Sequence, residues 1–464
     1  MAANGLSTEG SATTTSHQPS RRAAGWALLA TSLGFGVVQL DVSVVNVAIK
    51  PIGADLGGGV SGLQWVVGAY TLAFAALILS AGALGDRVGA KRMFIGGFAL
   101  FTLASAACGL APLLGVLIAA RAIQGVGAAM LVPCSLSLLS HAYRDPMARA
   151  RAVGLWAAGA SVALAGGPLL GGILTATLGW RSIFFINAPI GLAGILLTVR
   201  FATETTRSAD RALDVPGQLT AIVALAALAG AMIEAGHYGF ADPLVLAGFG
   251  LAAVALGGFV AIEAVRRRPM LPLGLFRIRT FSVTSAIGVV INVAFYGLIF
   301  VLSLYFQDTR HYSVLMTGLA FAPATVAVGA ANLSAGRLAR VAGPRATLIG
   351  AAILLAAGLG GMLIIGPGTS YAAIVVQFMA VGFGLGVIVP VVTAALLGSV
   401  DRSRSGLASG TLNTARQTGS VIGVGLFGSL AAGHLVSGLR LALVISAGLA
   451  LLVAGLTLGL RPEA

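Results

Sequence analysis

The sequence predicts an all-helical membrane protein that crosses the bilayer many times. Only 9% of its 464 residues are charged, 28 of them basic and 14 acidic, whereas a soluble domain has about 25%. Hydrophobic residues make up 58% of the chain, and the mean hydropathy is +0.98. Because one spanning helix needs about 20 apolar residues, the chain has material for a dozen or more spans. These observations exclude a soluble enzyme, a nucleic-acid-binding protein and a disordered scaffold.

Fourteen apolar stretches of helical length follow one another along the chain. Each is long enough to cross a bilayer, and short polar or basic segments separate them. The predicted spans are residues 24–49, 62–81, 93–111, 113–140, 150–174, 180–200, 214–236, 242–264, 281–306, 314–334, 346–366, 370–398, 408–431 and 436–460. The tail before the first span is polar and lacks the order of a cleaved signal, so we expect that span to be retained.

The basic residues predict the orientation of the chain. With the N-terminus inside, most arginines fall in loops on the cytoplasmic side, as the positive-inside rule requires. Lys50, Arg181, Arg310 and Arg440 fall in loops on the other side. We therefore expect a multi-pass protein of a bacterial cell (inner) membrane with both termini in the cytoplasm. Anionic lipid headgroups are the expected contacts of the basic loops, and the protein is expected to be a monomer.

Two pairs of segments indicate an internal repeat. Residues 82–89 (GALGDRVG) have a weaker copy at 336–343 (GRLARVAG), and residues 127–133 (GAAMLVP) correspond to 384–390 (GLGVIVP). These offsets predict two similar six-helix bundles with an inserted helix pair, an arrangement that suits a transporter whose halves rock about a midplane site. The predicted parts are a tail (1–23), a first bundle (24–200), a linker with two inserted helices (201–264), a basic connector (265–280) and a second bundle with a short tail (281–464).

Several motifs, in order, resemble those of the major facilitator superfamily. Its signature between helices 2 and 3 is similar to the segment with Gly82, Asp86, Arg87, Gly89 and Arg92, its helix 4 motif to Arg121–Gly127, and its antiporter motif to Gly167, Pro168, Gly171 and Gly172. Residues 40–48, 180–187 and 413–417 are similar to its fourteen-helix drug:proton antiporter branch. The resemblance covers the chain from residue 24 onwards.

The resemblance implies a multidrug efflux protein that exports small amphipathic organic compounds in exchange for protons. It needs no cofactor or metal beyond the proton motive force, and it confers antibiotic resistance. The chain departs from the family pattern at two places: Arg340 stands in the second copy where the first has Asp86, and Ala163 stands where a glycine is usual. No acid lies in spans 10 or 13, which argues against dicationic substrates.

Asp41 is the candidate proton-binding residue, because it lies deep within the first predicted span. An ionised carboxylate at such depth costs about 2.5–3.5 kcal/mol on insertion scales. An apolar environment favours its neutral form, so it can exchange a proton near neutral pH. The alternative is a structural acid held by hydrogen bonds. Arg121, expected at the same depth, cannot lose its proton, so it either tunes Asp41 or forms a fixed ion pair between spans 1 and 4.

The other two motifs have roles that the resemblance implies. It implies that Gly82, Asp86, Arg87, Gly89 and Arg92 form a cytoplasmic latch that stabilises the outward-facing state. It also implies that Gly167, Pro168, Gly171 and Gly172 form a bending seam that prevents proton leak. From the residues alone, small side chains at this spacing predict only close helix packing, and positive-inside charge explains Arg87 and Arg92 but not Asp86.

The resemblance places a substrate cavity between spans 1, 4, 9 and 12. The candidate contacts are Gln39, Asn46, Asn292, Phe295, Tyr296, Gln377, Met379 and Phe383, together with Asn413, Arg416 and Gln417 in span 13. An aromatic, mostly apolar lining suits amphipathic compounds. Packing is an equal alternative for most of these side chains, and a hydrogen-bonded contact between helices is the alternative for Arg416 and Gln417. Glu234, near the outer end of span 7, is better explained by solvation at the interface.

Two other functions compete with drug export. A membrane-embedded enzyme is disfavoured, because all five histidines lie in the tail or near span ends and the chain has no HExxH, GxSxG or Walker motif. Both cysteines lie in apolar stretches, which excludes a disulfide framework and a metal-ligand cluster. An exporter of one endogenous metabolite or self-made antibiotic differs from a multidrug exporter only in the breadth of its pocket.

Overall fold

The computed structural model describes residues 21–143, 145–205, 214–266, 269–401 and 405–460. Most of the predicted tail, parts of the linker and of the basic connector, and the last four residues lie outside this range. The described residues form fifteen α-helices: α1 (Arg21–Leu56), α2 (Gly59–Val88), α3 (Ala90–Gly109), α4 (Leu114–Ala142), α5 (Pro146–Leu178), α6 (Ser182–Phe185), α7 (Asn187–Phe201), α8 (Val215–Tyr238), α9 (Pro243–Val265), α10 (Arg279–Leu304), α11 (Val314–Ala342), α12 (Pro344–Gly361), α13 (Val375–Gly398), α14 (Ser405–Gly433) and α15 (Leu435–Leu458).

The predicted all-helical membrane class is confirmed. Within the described ranges, thirteen segments are long and apolar enough to cross a membrane, with α6 and α7 counted as one segment, Ser182–Phe201. The remaining long helix, α14, has 29 residues but includes many glycine, serine and threonine residues as well as Arg416 and Gln417. Together with α14, the thirteen segments account for the fourteen predicted spans.

The helices pack as two groups with the same internal arrangement. In the first group α1 packs on α5, and α4 contacts both α2 and α3; in the second, α10 packs on α14, and α13 contacts both α11 and α12. The groups meet where α5 contacts α11 and where α2 contacts α14. The inserted helices α8 and α9 pack on each other, and α8 also contacts α2 and α14. The inserted pair therefore lies beside the line where the two bundles meet.

Two turns mark the opposite ends of the bundle. The α2–α3 turn is at Gly89, whose φ of 111° favours glycine because it lies in the left-handed region. The α1–α2 turn is at Gly57, with a φ of 73°. We call these the Gly89 end and the Gly57 end. They serve as the reference for the depth of each site residue.

The two bundles are bonded to each other at the Gly57 end. The Lys50 ammonium in α1 lies 2.7 Å from the Asp308 carboxylate, which follows α10. The hydroxyl of Ser303 donates a hydrogen bond of 2.7 Å to the backbone carbonyl of Asn46. α1 and α10 are therefore joined by polar contacts at this end.

Candidate functional site

Asp41 of α1 and Arg121 of α4 form an ion pair inside the first bundle, with neither side chain more than 1% exposed. The Nε of Arg121 also donates to the backbone carbonyl of Val66 in α2, at 3.1 Å. Its guanidinium group lies 4.3 Å from the ring centroid of Tyr70, a distance typical of a cation–π contact. Three helices are thus held around one buried pair of charges.

Two amides complete the surroundings of the Asp41 carboxylate. Gln124 and Asn187 donate to the same oxygen, Oδ1, at 2.8 and 3.0 Å. The amide oxygen of Gln124 accepts a hydrogen bond of 2.8 Å from Arg121. The ionised carboxylate therefore has three donors, which offset the loss of water around it.

Asn187 reaches Asp41 because the chain breaks between α6 and α7. Asn187 is the first residue of α7, and its amide also donates to the hydroxyl of Ser105 at 2.9 Å. That hydroxyl donates in turn to the carbonyl of Phe184 in α6, at 2.9 Å. The polar network thus connects α1, α3, α4, α6 and α7 within the first bundle.

The sequence predicted Asp41 and Arg121 but assigned no role to Gln124 or Asn187. Gln124 follows Arg121 by three residues, so it lies on the same face of α4 and could have been inferred from that spacing. Asn187 is 146 residues from Asp41. No local pattern connects these two positions, because their contact depends on how α7 packs against α1.

The α2–α3 turn is held by Glu204, a residue that the sequence did not indicate. A Cβ atom on Gly89 would lie 2.6 Å from the Glu204 carboxyl carbon, so the turn has no room for a side chain. The Glu204 carboxylate accepts from the backbone N–H of Lys91 at 2.9 Å, and lies 3.9 Å from Nε of Arg92. The acid therefore caps the start of α3 and binds the chain after α7 to this turn.

A polar cavity of about 280 Å³ lies at the Gly89 end, between α2, α4 and α14. Gly82 and Asp86 of the α2–α3 motif line it, and so does Asn413 of α14. Arg87 is exposed and does not line this cavity. The structure thus places two residues of this motif beside one predicted substrate contact.

The antiporter motif lies where α5 contacts two other helices. A Cβ atom on Gly171 would lie 2.7 Å from the carbonyl oxygen of Val44 in α1, and a Cβ atom on Gly167 would overlap the side chain of Ser43 in the same helix. Gly172 faces α11, where a Cβ on Gly318 would lie 2.6 Å from the carbonyl oxygen of Pro168. These glycines therefore permit close backbone contact both within the first bundle and between the bundles.

An apolar cavity of about 60 Å³ lies beside the α5–α11 contact, between α5 and the helices α10–α13. Phe295, Phe321 and Phe378 line it, together with Pro168 of the antiporter motif. The rings of Phe321 and Phe378 are 5.6 Å apart. This cavity can accept an apolar group but has almost no polar partner to offer.

The predicted substrate contacts are distributed over both bundles. Phe295 lines the apolar cavity. The ring of Tyr296 packs against the ring of Phe295, with the two centroids 5.0 Å apart. Asn46 and Asn292 donate to carbonyls of their own helices. Gln39, Gln377, Met379 and Phe383 line neither cavity, and Met379 is exposed on the outer surface of α13. Arg416 bonds to α13, and Gln417 is buried beside it.

Comparisons with known proteins agree with this fold. A family model described as Major Facilitator Superfamily matches residues 31–424. The multidrug resistance protein Stp of Mycobacterium tuberculosis is 37% identical over 88% of this chain and 76% of its own length. The methylenomycin A resistance protein of Streptomyces coelicolor is 38% identical over 86% of this chain and 84% of its own.

A solved structure gives the same answer for the fold. The crystal structure of the human organic anion transporter MFSD10 (TETRAN) matches with a TM-score of 0.67, covering 94% of this chain and 99% of that one. Its sequence identity of 17% makes it evidence for the fold alone. The family match over most of the chain, together with the two paired bundles, shows that this protein belongs to the Major Facilitator Superfamily of transporters.

Proposed function

We propose that the protein exports small amphipathic organic compounds in exchange for protons, with Asp41 as the proton-binding residue. Relatives named for multidrug resistance and for resistance to methylenomycin A support drug export. The observation that best supports the proton site is the buried network of Asp41, Arg121, Gln124 and Asn187. A carboxylate at this depth is rare unless it has a function.

The network gives the proton a way to change the contact between α1 and α4. When Asp41 binds a proton, its charge disappears and its attraction to Arg121 falls. Arg121 keeps its charge, because arginine is not deprotonated in proteins. It is then held by hydrogen bonds to Gln124 and to the Val66 carbonyl and by the ring of Tyr70. Proton binding therefore changes the relative free energy of arrangements in which α1 and α4 are close and those in which they separate.

The orientation follows from the same reasoning. We place the Gly89 end in the cytoplasm, together with both termini, because most basic loops lie on that side. Polar contacts join the bundles at the Gly57 end, and a cavity lies at the Gly89 end. With this orientation, the structure corresponds to a state that receives substrate from the cytoplasm. The close α5–α11 contact at Gly172 and Gly318 is the proposed hinge and barrier to proton leak. The Gly89 turn is the proposed latch.

The driving force is sufficient for export. One proton moving down a potential of 100 mV releases about 2.3 kcal/mol. That free energy raises the gradient of an uncharged substrate about fiftyfold.

The proposal is tested with protein in proteoliposomes that contain a pH-sensitive dye. A panel of amphipathic cations and neutral antibiotics is added to wild type and to Asp41→Asn, under an imposed proton gradient. Glu234→Gln is the matched control, because it also removes an acid from a spanning helix, but from α8 outside the network. Substrate-driven proton movement is expected in wild type and in the control, and is expected to be lost in Asp41→Asn.

Full coupling in Asp41→Asn would refute the role of this residue. A response to one compound only would favour the alternative, an exporter of a single endogenous metabolite. No proton movement with any compound, from protein that is folded, would reject drug:proton antiport.

A further inference from the structure

Arg416 is a second arginine deep within a long helix, and it lies in the second bundle. It is the twelfth residue of α14, about 16 Å from the start of that helix at a rise of 1.5 Å per residue. Its Nη2 donates to the backbone carbonyl of Val389 at 3.2 Å and to the hydroxyl of Thr393 at 2.7 Å, both in α13. Among the described residues, Nε and Nη1 have no hydrogen-bond partner, which leaves their N–H groups free to donate to a ligand.

In the part of the second bundle that the structure describes, no acid pairs with Arg416. After residue 280 the sequence has three acidic residues, Asp308, Asp401 and Glu463. Asp308 pairs with Lys50 at the Gly57 end, while Asp401 precedes α14 by several residues and Glu463 is in the C-terminal tail. Arg121 is therefore compensated by Asp41 within its own bundle, and Arg416 is not.

The groups around Arg416 are polar and partly unpaired. Asn413 lies three residues before it and Ser420 four residues after it, so both share its face of α14, and Gln417 is its neighbour in the chain. The amide oxygen of Gln417 and the hydroxyl of Ser420 are buried and have no hydrogen-bond partner. Tyr296 of α10 lies close enough for its hydroxyl to interact electrostatically with Arg416.

The cavity at the Gly89 end comes close to this site. The cavity of about 280 Å³ reaches Asn413, one helical turn before Arg416. Arg416 itself is only half-buried although it lies deep in the helix. Phe295, which precedes Tyr296 and contacts its ring, lines the apolar cavity. A charged group at Arg416 and an apolar body near Phe295 could therefore belong to one amphipathic molecule.

We propose that Arg416 binds the anionic group of the exported compound, so that the transporter prefers amphipathic substrates with a carboxylate over their neutral counterparts. Nη2 belongs to both paired donor edges of the guanidinium group and is occupied by α13, so Nε–H and Nη1–H remain as single donors for a charge-assisted hydrogen bond to a carboxylate oxygen. Tyr296 and Gln417 offer further donors. This inference rests on the proposed export function and names the class of substrate.

The competing explanation is that Arg416 only ties α14 to α13 through Val389 and Thr393. Under that explanation, replacing Arg416 weakens the packing of the bundle and affects all substrates equally. Under our proposal, it affects an anionic compound and spares its uncharged analogue. The ratio of the two affinities therefore separates the explanations.

The experiment measures binding of dansylglycine and of dansylglycine methyl ester to purified full-length protein, from the rise in dansyl fluorescence. The two probes differ in one negative charge. Wild type is expected to bind the acid about tenfold more tightly than the ester, in keeping with one charge-assisted hydrogen bond. Arg416→Gln is expected to reduce that ratio to about one while the affinity for the ester stays within about twofold. Arg416→Lys keeps the charge but has a different arrangement of N–H donors, so its ratio of acid to ester affinity is expected to lie between those of wild type and Arg416→Gln.

Arg440→Gln is the matched control, because it removes a positive charge from α15, where Arg440 donates to the Ile365 carbonyl at 2.8 Å, far from Asn413. It is expected to keep the wild-type ratio. The proposal is overturned if wild type binds neither probe, or binds both without a preference for the acid. It is overturned as well if Arg416→Gln keeps the preference. It is also overturned if Arg416→Gln weakens both probes equally.

This measurement uses no proton gradient, so it is independent of coupling. A preference that depends on Arg416, without substrate-driven proton movement in proteoliposomes, would reject antiport and leave the anion site in place. Coupled export of cations and neutral compounds, without any preference for the acid, would support antiport and reject the anion site.

Discussion

The two bundles share a backbone arrangement but differ in chemistry at equivalent positions. Arg121 lies twelve residues before Pro133 in α4, and in α13 the residue twelve before Pro390 is Phe378. The first position holds the buried ion pair with Asp41, and the second lines the apolar cavity. The first bundle is thus built to hold a charge in an apolar interior, and the second to accept an apolar group.

The comparison suggests a division of labour between the bundles. The first bundle compensates its buried charges internally, so it can respond to a proton without a substrate being present. Within the described part of the second bundle, Arg416 lies deep in α14 without an acid partner, which suits an external ligand. Coupling then passes between bundles through the contacts of α5 with α11 and of α2 with α14.

The largest expected effect comes from breaking the ion pair of the first bundle. Arg121→Gln leaves Asp41 buried without its cation, and we expect a loss of about 3–5 kcal/mol of stability if the carboxylate stays ionised. Coupled export should fall more than tenfold. Adding Asp41→Asn should recover stability but not coupling. Thermal unfolding and the proteoliposome assay measure both effects, and coupling that survives in Arg121→Gln would contradict the assignment.

A second expected effect concerns the apolar cavity of the other bundle. Phe378→Ala enlarges the cavity, and we expect the half-saturating concentration of an apolar substrate to rise about tenfold. The ratio of protons to substrate should not change, because Phe378 touches no part of the Asp41 network. Phe378→Leu, a smaller change in volume, should give a weaker form of the same result. A changed proton ratio would show that the two bundles do not divide these tasks.

The turns of the two bundles offer a matched pair of smaller effects. Gly89 and Gly343 both have a positive φ, 111° and 80°, so alanine is strained at either position. A Cβ on Gly89 would also meet Glu204, whereas one on Gly343 would meet nothing within 4 Å. We expect Gly89→Ala to be less stable than Gly343→Ala by about 1 kcal/mol. Equal thermal stabilities would mean that Glu204 moves away freely.

The smallest expected effect is that of Glu204→Gln. The Arg92 side chain is 67% exposed, and its Nε lies 3.9 Å from the Glu204 carboxylate. Such a pair contributes about 0.5 kcal/mol or less. The amide oxygen of glutamine can still accept from the Lys91 N–H, so the stability should hardly change. A large loss of stability would show that the charge itself, rather than the cap, holds the turn.

The sequence predicted those parts of the structure that depend on local pattern. Apolar length predicted the spans, and the rarity of charge within them singled out Asp41 and Arg121. It gave Asn187 no role and did not indicate Glu204, because each meets its partner only after α7 packs on α1 and α3. The chain also gave no sign that Met379 would lie on the outer surface while Phe378, its neighbour, lines the cavity, because α13 is apolar on every face.

The central claim is that Asp41 exchanges a proton when substrate binds. The most direct measurement is the release of protons from purified protein in weakly buffered solution, followed with a pH indicator as a transported compound is added. Wild type should release about one proton for each molecule bound, and Asp41→Asn should bind the compound and release none. Equal proton release from both proteins would contradict the account.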